Sequence, residues 1–355
     1  MSVNRELNSM EKRRDTILDD DNENAIKLND EDRNTITKNK SKDKLLKKTW
    51  VVCLLAMVCC ALWGSAFPCI KVGYRLFQID SADTATQILF AGCRFTIAGI
   101  MVILFGSILQ GRFLKAGKGD LPRIGKICLL QTVAQYFFFY VGLAHTTGVK
   151  GSIVEASNVF LAILVSSLIF HQEKLDQKKV LGCIVGFAGV VLINLSGSNV
   201  DMSFNLTGDG FIFISAIAYA LSSVLIKKYS AKSDPVMLSG YQFTAGGLVM
   251  ILIGFVMGGR IHTASMPAMI LLIYMALISA VAYTLWGILL KYNPVSKVSI
   301  FGFTNPVFGV ILSAIILREG NVFGMKDLIA LVLVSIGILI VNWAKPVGEK
   351  EKGMN

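Results

Sequence analysis

Apolar residues in this chain come in long blocks, each close to the 20 residues a helix needs to cross roughly 30 Å of hydrocarbon. The blocks run 51–70, 88–109, 124–144, 152–170 and 180–195, then 210–226, 236–257, 267–290, 298–317 and 327–343. They predict an all-α, polytopic membrane protein with ten transmembrane helices. A second pattern lies over the first. Around Asn158 the chain reads Ser157-Asn158-Val159-Phe160, an apolar stretch to Ser166, Glu173, and then Gly189 to Asn194. Around Asn305 it reads Thr304-Asn305-Pro306-Val307-Phe308, an apolar stretch to Ser313, Glu319, and then Gly337 to Asn342. These two copies, about 147 residues apart, divide the blocks into two sets of five.

Lysine and arginine in the short loops predict the orientation. With the amino terminus in the cytoplasm, inner loops hold Arg112, Lys115, Lys118, Arg123, Lys174, Lys178, Lys179, Lys227, Lys228, Lys232, Lys291 and Lys297. Outer loops then hold only Lys71, Arg75, Lys150, Arg260, Arg318 and Lys326, which favours both termini inside. Five spans per half is an odd number, so the second half enters the bilayer in the opposite sense and the two five-helix repeats are inverted. Trp63 before Lys71 and Tyr219 before Lys227, at equal spacing, agree with this pairing. The expected organisation is a disordered cytoplasmic tail at 1–49, a first repeat at 50–195, an outer loop at 196–209, a second repeat at 210–343 and a cytoplasmic tail at 344–355.

Composition agrees: 54% of residues are hydrophobic and 17% charged, outside the balance of soluble domains. The net charge of +11 reads as topogenic loop charge, not as a nucleic-acid surface, because no basic face is interleaved with exposed aromatics. The first forty-nine residues are too polar to bury a core, and their closing lysines, from Lys38 to Lys48, would hold the first helix at anionic lipid. No apolar core precedes Trp50, so no cleavable signal peptide is expected. The seven cysteines fall in or beside spans without a Cys-x-x-Cys pair, and His145, His171 and His262 lie on different loops. Neither a metal site nor a cofactor is expected.

Several short segments carry a resemblance: Trp63-Gly64-Ser65-Ala66-Phe67-Pro68 in the first span, Arg94-Phe95 with Ala98-Gly99 in the second, Gly208-Asp209-Gly210 opening the sixth, and Thr304-Asn305-Pro306 in the ninth. In this order on ten spans the chain, from Leu62 to Asn342, resembles the drug/metabolite transporter superfamily, and within it the EamA-type carriers of two five-helix repeats. The resemblance implies a carrier in the cell membrane that moves small organic metabolites, often outward, without ATP; it implies no particular substrate. One departure concerns the central half-sites: Pro306 in the second copy is Val159 in the first, so the two need not bend alike.

Polar groups at mid-membrane depth are candidates for function because hydrocarbon penalises them. Glu155 and Asn158 share a face of the fourth span, as Phe301 and Asn305 do on the ninth. Gln131 and Gln135 face one way on the third, with Tyr136 beside them, and Tyr283 and Trp286 sit on the eighth. The substrate-facing candidates are therefore Asn158, Asn305, Gln135, Tyr136, Trp63, Tyr283, Trp286 and Phe301. Amides that bond a neighbouring helix and aromatics that only pack are the structural alternatives. Glu155, about one turn into its span, is the candidate for proton coupling, with Arg94 as counter-charge for it or for Asp83.

Gly111 to Gly119 contains Gly-Lys without the spacing of a nucleotide loop, so ATP-driven pumping finds no support. The reading is a secondary active exporter or exchanger of small organic metabolites such as amino acids, working by alternating access. A passive channel or uniporter is the alternative, and a membrane-embedded enzyme would need a converging catalytic constellation that the sequence lacks. Its partners are a small-molecule substrate and the lipid bilayer, with proton coupling and a homodimer left open.

Overall fold

In a computed structural model the described residues are 43–80, 82–146, 148–195, 205–262, 265–317 and 325–342. The chain divides into two units, Met1–Lys48 and Thr49–Asn355. In the first, residues 43–47 are helical; the remainder of the expected amino-terminal tail, the residue Glu319 and the stretch 344–355 lie outside the described residues.

The second unit is helical throughout its regular structure, without a strand among the described residues. Its helices are α1 (Thr49–Phe77), α2 (Thr84–Gln110), α3 (Leu121–Leu143), α4 (Gly148–Leu164, prolonged by a π turn at Val165–Ile169) and α5 (Gln177–Leu195). Then come α6 (Leu206–Ser230), α7 (Pro235–Val256), α8 (Met266–Tyr292), α9 in three pieces (Val295–Ser299, a 3-10 turn at Ile300–Phe303, and Thr304–Leu317) and α10 (Met325–Asn342). Six of them, α1, α2, α3, α6, α7 and α8, are long and apolar enough to cross a membrane. Large apolar side chains such as Leu104, Ile108, Leu252 and Ile270 are exposed on the outside, where lipid would cover them.

Local chemistry sets the ends. The Asp83 carboxylate accepts from the Thr86 N–H at 2.9 Å and caps α2, which stops at Gly111 in the left-handed region (φ 62°) that glycine tolerates. Asp234 and Ser265 cap α7 and α8, each with proline in the first turn. The apolar pattern misplaces one end. Helix α1 runs well past Ile70 because Cys69 and Phe77 pack with Phe90, Leu272 and Met275, so Lys71 and Arg75 stand in its last turns and not in a loop.

Most of the extensive helix contacts are reciprocal, the α6–α8 contact being an exception. Helix α1 packs on α8 and α9, and α6 packs on α3 and α4; α2 meets α8 while α7 meets α3; α2 pairs with α7, and α5 with α10. Replacing every helix by the one five places along leaves this list unchanged. The closest pair is α2 with α7. A Cβ added at Gly92 would stand 2.6 Å from the Ile251 nitrogen, one at Gly99 2.6 Å from the Gly240 oxygen, and one at Gly247 2.8 Å from the Gly92 oxygen. Thr96 donates to the Gly92 carbonyl at 2.9 Å, and Thr244 to the Gly240 carbonyl at 2.9 Å, so each helix brings the same Gly-xxx-Thr-xx-Gly face. Gly182 and Gly186 permit a similarly close contact of α5 with α10: a Cβ on Gly337 would lie 2.6 Å from the Gly182 oxygen and 2.7 Å from the Gly186 nitrogen.

Gly247→Val should therefore lower the melting temperature of the detergent-solubilised protein, at a cost of about 1–3 kcal/mol for forcing backbones apart. Gly125→Ala, whose Cβ would meet nothing within 4 Å, should leave it unchanged or slightly raise it. Equal melting of wild type and Gly247→Val would refute the close-packed seam.

Candidate functional site

Three residues after Gly92 and Gly240 stand Phe95 and Phe243, and the close approach of α2 and α7 stacks their rings, 5.4 Å apart at 11°. Over this pair the hydroxyls of Tyr136 on α3 and Tyr283 on α8 meet at 2.5 Å. These tyrosines are separated by 147 residues, the offset of Asn158 and Asn305, so equivalent residues of the two copies touch each other. Trp63 closes the cluster edge-on, 4.9 Å from Tyr283 and 5.0 Å from Trp286. Tyr140 and Tyr219, both buried, complete it. Four expected residues, Trp63, Tyr136, Tyr283 and Trp286, are thus brought together. Phe243, Tyr140 and Tyr219 were not expected, although four-residue spacing from Tyr136 pointed to the second and the offset of 148 between the Gly-xxx-Thr-xx-Gly faces of α2 and α7 relates the first to Phe95.

Among the buried polar atoms without partners are Trp63 Nε1 and Trp286 Nε1 in this cluster, Arg94 Nε and Gln135 Oε1 on the residues next to Phe95 and Tyr136, and also Glu155 Oε2 and Asn305 Oδ1. Each such atom costs about 1–3 kcal/mol when left dry. Asn158 Nδ2 donates to Glu155 Oε1 at 3.3 Å, which confirms the shared face. Glu155 sits deeper than expected: α4 starts at Gly148, which places the carboxylate about two turns in. It acts electrostatically on Tyr136 and Tyr219.

Three expectations need correction. Gln131 does not stand with Gln135, because it accepts from Gln242 Nε2 at 3.0 Å while Gln242 Oε1 takes the Thr132 hydroxyl at 2.6 Å, a network that ties α3 to α7. Phe301 is buried in the core cluster that also holds Trp286, and the 3-10 turn Ile300–Phe303 takes it out of the α-helical register assumed for a face shared with Asn305. Arg94 makes an ion pair with neither Glu155 nor Asp83; Asp83 is engaged as the α2 cap, and the guanidinium lies over Phe95 at 4.5 Å.

Backbone irregularities flank the site. A π segment, Cys128–Ala134, interrupts α3 directly before Gln135 and Tyr136, and the 3-10 turn of α9 directly precedes Asn305. Both leave helical register where the polar side chains face inward. Helix α4 runs unbroken past Asn158, so the two half-sites do differ in shape, as Val159 against Pro306 predicts.

At one end of the bundle a buried carboxylate fastens the two sets of helices. Glu173, between α4 and α5, accepts from Ser166 Oγ at 3.0 Å, Lys179 Nζ at 2.8 Å and the Ser296 N–H at 2.9 Å, and also from the Ser296 hydroxyl. Ser296 lies in the first turn of α9. A second polar tie joins α3 to the α6–α7 loop, where Asp120 holds Arg123 at 2.9 Å and the Ser233 hydroxyl at 2.6 Å. Burial works to raise the Glu173 carboxyl, but its bonds from Lys179 and Ser296 outweigh burial and hold it below the usual carboxylate range.

Fold and interior together define a multi-pass helical membrane protein with an aromatic-walled, polar centre. The family model described as EamA-like transporter family matches residues 50–195 and again 206–343, and the chain belongs to that family. It is 26% identical to a WAT1-related chloroplastic protein of Arabidopsis thaliana over 79% of this chain and 67% of that one. With the uncharacterized transporter YvbV of Bacillus subtilis it shares 27% identity over 84% of this chain and 93% of the relative. A solved crystal structure with 16% identity, covering 82% of this chain and 96% of its own, has the same fold at a TM-score of 0.68.

A carboxylate with a lowered folded pKa stabilises fully above its unfolded value of about 4.3 and loses that contribution as pH falls through the folded value. Wild-type melting temperature should therefore drop steeply below pH 4. Glu173→Gln should begin lower at pH 7, by an amount matching about 1.5–3 kcal/mol, and should drop less on acidification. Parallel pH profiles would show that Glu173 carries none of this dependence.

Proposed function

We propose that this member of the EamA-like transporter family is a secondary carrier of small organic metabolites, working by alternating access between two inverted five-helix halves. The unpartnered buried polar atoms on Trp63, Trp286 and Arg94, which stand in or beside the Tyr136–Tyr283 cluster, carry the reading, because such atoms are tolerated in a membrane interior where a solute or water meets them. The reciprocal helix contacts support it too, since alternating access is a movement of one repeat against its copy around a shared site.

In this reading α1 to α5 and α6 to α10 are the halves, all ten helices span the cell membrane, and both termini face the cytoplasm. Trp63, Tyr136, Tyr283 and Trp286 cover the apolar body of the solute, and Gln135, Asn158 and Asn305 read its polar ends. Glu155 couples transport to protons, because a buried carboxylate can carry a proton across only if it is exchanged during the cycle.

Metabolites released by cells with and without the gene would identify the solute, and uptake into proteoliposomes would then test the carrier. Alanine at Asn158 or Asn305 should weaken transport by about 1–3 kcal/mol of binding while protein still reaches the membrane. Normal transport by both variants would move the site elsewhere. Glu155→Gln should abolish accumulation driven by a pH gradient yet keep exchange of labelled for unlabelled solute; a full response to the gradient would exclude Glu155 from coupling.

The orientation has its own check. Ser233 is buried and bonded to Asp120, so a probe belongs at exposed neighbours. In a background without native cysteines, Thr207→Cys should react with an impermeant thiol reagent in intact cells and Lys232→Cys should not. The opposite pattern would reverse the topology.

A further inference from the structure

We propose that Arg94 is the anchor for a carboxylate on the transported solute, an assignment that rests on the carrier reading above. Among the described residues Arg94 is the only lysine or arginine that is buried, with 5% of its surface exposed. No hydrogen bond or ion pair engages it there, and its Nε is fully enclosed without an acceptor. An unpaired guanidinium inside a membrane protein is expensive, and removing it would break no hydrogen bond or ion pair. What holds it is aromatic. Its centre lies 4.5 Å from the Phe95 ring and 5.9 Å from that of Tyr136.

Stacking occupies the face of the guanidinium and leaves its edge, the fork of N–H donors, to meet a planar anion with two parallel hydrogen bonds. The surroundings favour a single negative charge. One buried cation stands here, and the Glu155 carboxylate acts on the same Tyr136, so a dianion such as a phosphate monoester would be repelled from one side. The indole N–H groups of Trp63 and Trp286 are free donors in the same cluster. A monocarboxylate, with or without an amino group for Glu155, fits this set; an amine or a neutral sugar leaves Arg94 unsatisfied.

The test uses the full chain in proteoliposomes loaded with an unlabelled solute and offered the labelled one: 3-phenylpropanoate, a set of aliphatic monocarboxylates, phenylalanine, the matched amine phenethylamine, and glucose. Uptake should be confined to carboxylate-bearing members, and Arg94→Gln should reduce it at least about tenfold, the size expected for charge-assisted hydrogen bonds, with Arg94→Lys in between. The solute-free Arg94→Gln protein should melt at or above the wild-type temperature, whereas a structural arginine would lower it. Uptake of phenethylamine or glucose alone, undiminished acid uptake by Arg94→Gln, or a variant that melts well below wild type or fails to fold would each overturn the assignment. Failure of the carrier reading would look different, as no member of any charge class would exchange.

Discussion

Everything in this molecule depends on how closely two backbones approach each other without a hydrophobic drive. Lipid is as apolar as leucine, so helices in a bilayer associate through close packing and local hydrogen bonds. Helices α2 and α7 meet through matching Gly-xxx-Thr-xx-Gly faces, with positions where no Cβ would fit. Phe95 lies between Gly92 and Gly99, and Phe243 between Gly240 and Gly247, so the glycine seam determines that these rings stack. The stack in turn seats Tyr136 and Tyr283, whose rings rest on Phe95 and Phe243 at 4.4 and 4.9 Å. A seam of small residues thus builds the aromatic centre.

The centre itself works against stability. Unpartnered atoms on two tryptophans, an arginine, two amides and a carboxylate each oppose folding, and a protein selected for stability alone would replace them with apolar groups. They persist beside a network of the opposite kind, the fully engaged Glu173 with Lys179, Ser166 and Ser296. Glu173 itself joins the α4–α5 connection to α9, although Ser167, Gln172 and Ser299 near it each keep an unpartnered buried atom too.

Sequence made the membrane class and the duplicated order of landmarks legible because both are one-dimensional patterns, of block length and of spacing. The same spacing contained the Tyr136–Tyr283 contact, since their separation equals that of Asn158 and Asn305, although nothing in periodicity says that equivalent residues must touch. Other features depend on tertiary partners. Helix α1 outlasts its apolar block because α2 and α8 pack along its end, and Gln131 turns from the site because Gln242 offers a bond. Arg94 was matched to carboxylates by charge, but those groups had nearer uses: Asp83 at a helix cap, Glu155 with Asn158. The π segment before Gln135 has no signature in residue type at all.

The two halves are equivalent in order yet unequal in detail, and the inequality has a physical cause. Pro306 has no N–H to give the Gly302 carbonyl, so α9 departs from α-helix over Ile300–Phe303. Inside that turn the Thr304 N–H serves the Gly302 and Phe301 carbonyls, and the Phe301 carbonyl also accepts the Thr304 hydroxyl at 2.7 Å and the Cys60 thiol at 3.2 Å from α1. Val159 imposes none of this, and its methyl group fills the space above Gly302, where an added Cβ would stand 2.9 Å away. Here α9 is irregular just before Asn305 and tied to α1 through the Cys60 thiol, while α4 is continuous past Asn158, so the two equivalent segments differ both in backbone geometry and in what braces them.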